Sequence, residues 1–247
     1  MRAVLMYHSI DPSGSAISVS RDEFHSHVRW LARGSVKVLP LDRVVTSEAS
    51  DDVVALTFDD GFANFATDAA PLLREHGLPA TLYVVSDLTG RTNAWGGKDA
   101  PGIPTLPLLD WPTLGRLAEA GVTLGGHTRT HPRLAGMTKG ALEDEIGGCA
   151  DRIQAETGQR PTSFAYPYGS YDSTAVDVAG AHYQNACTTE LRVLNASDRS
   201  HLVPRLDMYY FRKPGRLEAW GSQSFRWRLR IRAHARALRQ ALHPAGK

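Results

Sequence analysis

Cysteine is scarce. Cys149 and Cys187 are the only two in 247 residues, and neither belongs to a C-x-x-C pair, so nothing calls for a cysteine metal site or a disulfide framework. Two small core residues are the simpler reading. Long apolar runs are missing too, and no stretch suffices to span a bilayer. The chain passes from Met1-Arg2 directly into a short strand-like run. With no signal-peptide core and no small-residue cleavage site, it is expected to be cytoplasmic. Charge of one sign is also lacking: the net charge is +2, which points to no nucleic-acid partner. What is present is 42% hydrophobic and 22% charged residues, the composition of an ordinary soluble globular protein. The length suits one large α/β domain.

Short β-branched or apolar runs recur: Ala3 to Tyr7, Val36 to Leu39, Val53 to Phe58, Ala80 to Val85, Val122 to Leu124, Ser163 to Tyr166, Asn185 to Thr188 and Leu202-Val203. Each reads as a strand. Helical stretches alternate with them. Ser20 with Glu23 forms a capping box ahead of Phe24, Val28 and Leu31. Residues 69–76 close on Gly77, residues 111–119 end at Gly121, and Thr138 caps a long helix with Leu142, Ile146, Cys149 and Ile153 on one face. Strands alternating with helices predict βαβ units and a parallel sheet. The Gly/Pro-rich stretch 87–107, which carries Trp95, has the length of a lid or binding loop.

Polar, reactive residues follow the strands: His8, Asp59-Asp60-Gly61, His127, and Tyr166-Pro167-Tyr168-Gly169. A (β/α) barrel builds its site at that carboxyl-terminal face from several strands. Asp-Asp-Gly alone is also ordinary turn chemistry. Yet neighbouring carboxylates at a strand tip are free to face different targets, one holding a metal while the other accepts a proton. His127 and His131 stand at i, i+4, the spacing at which two imidazoles on one helical turn face a single metal. Two histidines and Asp60, with open positions for water, compose a catalytic zinc site rather than a structural one.

Thr57-Phe58-Asp59-Asp60-Gly61, His127-Thr128-Arg129-Thr130-His131 and Phe164-Ala165-Tyr166-Pro167-Tyr168-Gly169 resemble, in order and spacing, three motifs of the polysaccharide deacetylases, the NodB-homology group of carbohydrate esterase family 4. The resemblance runs from about Ala3 to Asp207. It implies a single distorted (β/α) barrel with fewer strands than the regular eight. It also implies metal-dependent hydrolysis of acetyl groups on N-acetylated sugars. On this likeness Asp60, His127 and His131 hold a divalent ion, zinc by preference. Asp59 is then the general base, the backbone N–H of Tyr168 serves the oxyanion, and Gly169 lets the backbone approach substrate.

The chain departs from the family twice. Ala165 stands where many members carry an arginine that orients the base, and no late histidine motif follows Val203. Instead Leu5-Met6-Tyr7-His8 resembles the permuted subgroup, which includes deacetylases of poly-N-acetylglucosamine, with the acid histidine on the first strand. His8 is therefore expected as general acid, Arg205 as replacement for the missing arginine, and Asp207 as a group tuning His8. His25, His27, His76, His182 and His201 have no partner motif and read as structural. Trp95, Trp111 and Tyr171 are read as packing before sugar stacking.

Residues 1–213 are expected to form the deacetylase domain and 214–247 a basic extension. There Phe225, Trp227, Leu229 and Ile231 alternate with arginines before a helical stretch. Such a segment suits an anionic membrane surface or a partner, or the underside of the barrel with its arginines reaching water; the last is preferred. Polysaccharide outside the cell and a chain without a leader fit poorly together, so a nucleotide-linked or lipid-linked precursor is a further substrate. Two other functions stay open: hydrolysis of a non-sugar amide on the same scaffold, and a glycan-binding barrel without turnover.

Overall fold

The computed structural model describes residues 1–48, 50–98 and 100–242, with side chains up to 236. In chain order the strands are β1 (Arg2–Tyr7), β2 (Ser9–Ile10), β3 (Ser18–Val19), β4 (Lys37–Val38), β5 (Val53–Phe58), β6 (Ala80–Val84), β7 (Thr123–Gly126), β8 (Ser163–Ala165), β9 (Asn185–Cys187) and β10 (Leu206–Asp207). The helices are α1 (Arg21–Ala32), α2 (Leu41–Thr46), α3 (Ala70–Glu75), α4 (Trp111–Glu119), α5 (Lys139–Leu142), α6 (Gly148–Thr157), α7 (Ser173–His182) and α8 (Gln223–Leu242). A wider turn, Glu143–Gly147, joins α5 to α6.

β1 and β5 are buried at every position, as strands covered on both faces by helices must be. One parallel sheet runs in the order β10-β1-β5-β6-β7-β8-β9, with β4 beside the start of β5. After β9 the chain comes back to close the ring. Val203 bridges Cys187 in parallel, Thr188 N–H donates to Val203 O at 2.8 Å, and Leu206 then pairs with Leu5 of β1. The expected strand at Leu202-Val203 is met at Val203 alone, as a single bridge to β9. Pro204 cannot donate to a ladder, and parallel pairing with β1 begins at Leu206. The structure also supplies two helices not read from sequence, α2 and α7; Asp172 caps the latter by accepting Ala175 N–H at 2.9 Å.

The Ser20 capping box forms as expected, with Ser20 N–H donating to Glu23 Oε2 at 2.8 Å. Cys149 and Cys187 are free and buried. Among the described residues no helix is long and apolar enough to cross a membrane.

The alternation at 225–232 is helical from Gln223 on, and its burial follows a helix period. Phe225 and Leu229 lie in the same buried cluster as β1 and β5 side chains, while Trp227 and Ile231 are 65% and 48% exposed. Phe225 packs on Phe211 and Trp220 with ring centroids 5.5 and 5.3 Å away. The preferred position beneath the barrel is corrected as well. Trp220 bonds Asp52, just ahead of β5, while Arg236 reaches Asp207 at the far end of β10. α8 therefore climbs the side of the barrel toward the carboxyl ends of the strands. A docked α8 predicts that Phe225→Ala costs about 3 kcal/mol in urea unfolding; a loosely attached helix would lose less than about 0.5 kcal/mol.

Candidate active site

The ladder continues past β5 for one residue, Asp59 N–H donating to Tyr7 O at 2.9 Å. Then Asp60 and Gly61 both adopt left-handed backbone, φ 73° and 74°. That reversal points the two adjacent carboxylates apart. Asp59 meets Arg205 in a two-pronged contact, Nη1 to Oδ1 at 2.6 Å and Nη2 to Oδ2 at 2.8 Å. Both groups are buried, Arg205 completely. Arg205 also donates from Nε to Thr188 O at 2.9 Å and stands over the Tyr83 ring. Small Ala165 and Cys187 share a buried cluster with Tyr83. Burial pushes the Asp59 carboxyl upward, but the Arg205 guanidinium, with His127 and His8, outweighs it and holds Asp59 below the usual carboxylate range.

Asp60 faces His127 and His131, with Oδ1 at 3.4 and 3.2 Å from their Nε2 atoms. The expected helical turn at 127–131 is corrected: the segment is an irregular loop following β7. Thr128 and His131 are left-handed, φ 68° and 65°, and Thr128 Oγ1 accepts His131 N–H at 2.9 Å. Those two reversals, rather than a helix period, bring the imidazoles together. Glu145, in the wide turn after α5, accepts the N–H groups of Arg129 and Thr130 at 2.9 Å each and the Thr130 hydroxyl at 2.6 Å. The sequence reading missed Glu145, since nothing in a helix pattern marks a carboxylate aimed at a distant loop. The two glycines ahead of His127 make room: side chains there would collide with Tyr83 and Tyr183.

His127 Nδ1 donates to Ala165 O at 2.7 Å, which turns Nε2 toward Asp60. His131 Nδ1 lies 3.1 Å from the Tyr168 hydroxyl. Asp60 Oδ1 is buried without a hydrogen-bond partner among the described residues, although polar atoms so placed are normally satisfied. One donor atom from each of Asp60, His127 and His131 lies within 4.8 Å of the others. An orphaned carboxylate oxygen beside two imidazole nitrogens fits a divalent cation with three protein ligands. Burial alone would raise Asp60, yet the two imidazoles hold it well below the usual range.

The remaining expected residues gather around this centre. His8 Nε2 is 3.8 Å from Asp59 Oδ2. Tyr168 is left-handed, φ 58°, and 43% exposed, with Arg133 over its ring. Trp95 stacks on His131 at 4.2 Å, whereas Trp111 and Tyr171 sit outside the lining. A cleft of about 700 Å³ is bordered by His8, Asp59, Asp60, Trp95, Tyr168 and Asp207, among others, within the usual range for small-ligand sites. Asp207 takes a different partner from the expected one: its carboxylate accepts Tyr209 N–H and pairs with Arg236. Gly169 is corrected also, because the space beside its Cα is filled by the Thr189 side chain rather than left to a ligand. His27 is structural, bonded to Tyr7 and Phe211, as are His182 with Glu143 and His201 with Tyr183 O.

A parallel α/β barrel with paired carboxylates and two histidines at the carboxyl ends of its strands defines the class of protein. Residues 46–185 match the family model described as polysaccharide deacetylase, and the chain belongs to that family. It is 28% identical over 193 residues to YxkH of Bacillus subtilis (strain 168), a protein provisionally named a polysaccharide deacetylase, covering 76% of this chain and 64% of that one. It is 27% identical over 117 residues to a peptidoglycan-N-acetylglucosamine deacetylase of Bacillus cereus, covering 47% and 36%. The chain thus spans less than two thirds of either relative. In fold it resembles IcaB from Ammonifex degensii, with a TM-score of 0.73 at 20% identity over 91% of this chain and 95% of that one. It likewise resembles the Streptococcus pyogenes deacetylase PplD, TM-score 0.69 at 22% identity, covering 83% and 91%.

Removing the cation from the buried pair isolates its effect. Arg205→Met leaves Asp59 buried and unpaired, and is expected to destabilise the fold by about 3–5 kcal/mol at pH 7. In the wild type the lowered Asp59 pKa contributes stability above the ordinary carboxylate range, lost as pH falls through the lowered value. In the variant, burial opposed only by His127 and His8 raises Asp59 relative to the wild type, and it sheds its charge on acidification. The gap between the two unfolding curves therefore narrows below about pH 5; a gap constant with pH would show that the pair is not its source.

Proposed function

We propose that this chain is a hydrolase that removes acetyl groups from N-acetylated amino sugars, releasing acetate and the free amine. The division of labour at the tip of β5 carries the reading. Asp60 presents an unpartnered oxygen to two imidazoles while Asp59, one residue away, is held by Arg205. A binding module has no need of the second carboxylate. Family membership and the printed activity of the Bacillus cereus relative support the same reaction.

Asp60, His127 and His131 would hold a divalent cation, zinc suiting the donor set. Bound there, the ion supplies Lewis-acid polarisation of the acetyl carbonyl and lowers the pKa of a water. Asp59, kept ionised by Arg205, accepts the proton of the attacking water. As the water oxygen bonds to the acetyl carbon, the developing oxyanion takes a hydrogen bond from the backbone N–H of Tyr168. His8 donates a proton to the nitrogen as the C–N bond breaks, so the sugar leaves as a neutral amine. Arg205 is a positioning residue, fixing the carboxylate plane and replacing the arginine missing at Ala165.

Acetate release from N-acetylglucosamine oligomers tests this reading. It is expected to vanish with chelator and return with zinc. His8→Ala is expected to lower kcat by about 10²-fold or more with KM little changed. Metal-loaded protein that releases no acetate from any acetylated sugar would overturn the proposal in favour of a non-sugar amide.

A further inference from the structure

The cleft has an excess of cations that the reaction does not use. Arg133, Arg232 and Arg236 all border it, and it continues past Trp95 and Tyr168 into a groove of about 830 Å³ bordered by Arg91 and Arg133. Among the described residues, the carboxylates that border the cleft are already engaged. Asp59 is paired with Arg205, Asp60 faces the imidazoles, and Asp207 is paired with Arg236. Among the described residues, Arg91, Arg133 and Arg232 form no ion pair, whereas Arg129 and Arg192 elsewhere each bridge two carboxylates.

Two of these free guanidiniums are nevertheless fixed in place. Arg133 lies over Tyr168 with its central carbon 4.5 Å from the ring centroid, and Arg232 lies over Tyr210 at 5.0 Å. Stacking on an aromatic face holds the plane of the guanidinium while leaving its N–H edge unspent. That edge matches a carboxylate or phosphate in two-pronged fashion. One such arginine stands beside the 127–131 loop and the other comes from α8, so guanidiniums border the cleft from two walls.

Resting on the deacetylase reading above, we infer that the acetylated sugar bound in this cleft carries an anionic group, carboxylate or phosphate, next to the acetamido unit. Arg133 and Arg232 recognise it, and α8 is thereby part of the substrate site.

Binding is measured on chelator-treated protein, through calorimetry, and acetate release on the zinc form. The probes are a neutral N-acetylglucosamine tetramer, a tetramer alternating N-acetylglucosamine with glucuronic acid, and uridine diphosphate N-acetylglucosamine. At about 50 mM salt at least one anionic probe is expected to bind roughly 10-fold tighter than the neutral one, the advantage shrinking at about 500 mM. The uronate tetramer winning identifies a carboxylate source; the nucleotide sugar winning identifies a phosphate. Arg133→Gln and Arg232→Gln are expected to remove most of the advantage, Arg232→Lys to keep part of it, and Arg226→Gln, on the outer side of α8, to leave it intact. Equal or weaker binding of both anionic probes, binding of none, or an advantage untouched by Arg133→Gln and Arg232→Gln would overturn the inference. An anion advantage without acetate release from any probe would instead overturn the deacetylase reading alone.

Discussion

The buried pair between Arg205 and Asp59 is the constraint on which the rest of the site depends. Isolated charges in a protein interior are costly, and a pair is tolerated only when its geometry and remaining hydrogen bonds are satisfied. Arg205 meets both conditions, spending its donors on Asp59, Thr188 O and, more distantly, Thr57. The residue also lies in the segment that joins β9 back to β1. Closing the barrel and fixing the carboxylate are therefore one structural event. A chain that failed to bring 203–207 back to β1 would leave Asp59 buried without a counter-charge.

Strain gathers at the same place. The non-glycine residues with positive φ among those described are Asp60, Thr128, His131 and Tyr168, and every one belongs to the site. Each such residue costs about 1–3 kcal/mol and persists only when its surroundings over-determine it. Here the surroundings are identifiable. Glu145 holds the 128–131 loop by three hydrogen bonds, Thr128 bonds His131 N–H, and Tyr168 is clamped between Arg133 and His131. The strain turns Asp60 away from Asp59 and folds His131 back toward His127, an arrangement that unstrained strand or helix geometry would not produce.

Much of this was legible in the sequence. Buried parallel strands advertise themselves as short apolar runs, and residues placed just beyond them must collect at one end of the barrel. That logic alone brought His8, Asp59, Asp60, His127 and Tyr168 to a common face. What escaped had physical reasons. The i, i+4 spacing of His127 and His131 suggested a helix because spacing cannot tell a helical turn from a loop with two left-handed residues. The closing strand splits in two, Val203 bridging β9 and Leu206 pairing with β1, because Pro204 interrupts the run and sequence does not tell which neighbour each half takes. The amphipathic pattern of α8 gives a buried face but no direction, so sequence does not separate the underside of the barrel from its flank. Glu145 gave no signal at all, being one acidic residue among Glu143, Asp144 and Glu145, of which the fold alone selects one.

The central claim is that two adjacent carboxylates have separate duties, Asp60 holding metal and Asp59 moving a proton. Zinc stoichiometry, measured by equilibrium dialysis on Asp59→Asn and Asp60→Asn beside wild type, tests it most directly. About one zinc per chain is predicted for wild type and for Asp59→Asn, the latter without acetate release, and weak or no zinc for Asp60→Asn. Loss of zinc from Asp59→Asn, or full zinc retention by Asp60→Asn, would contradict the division of roles.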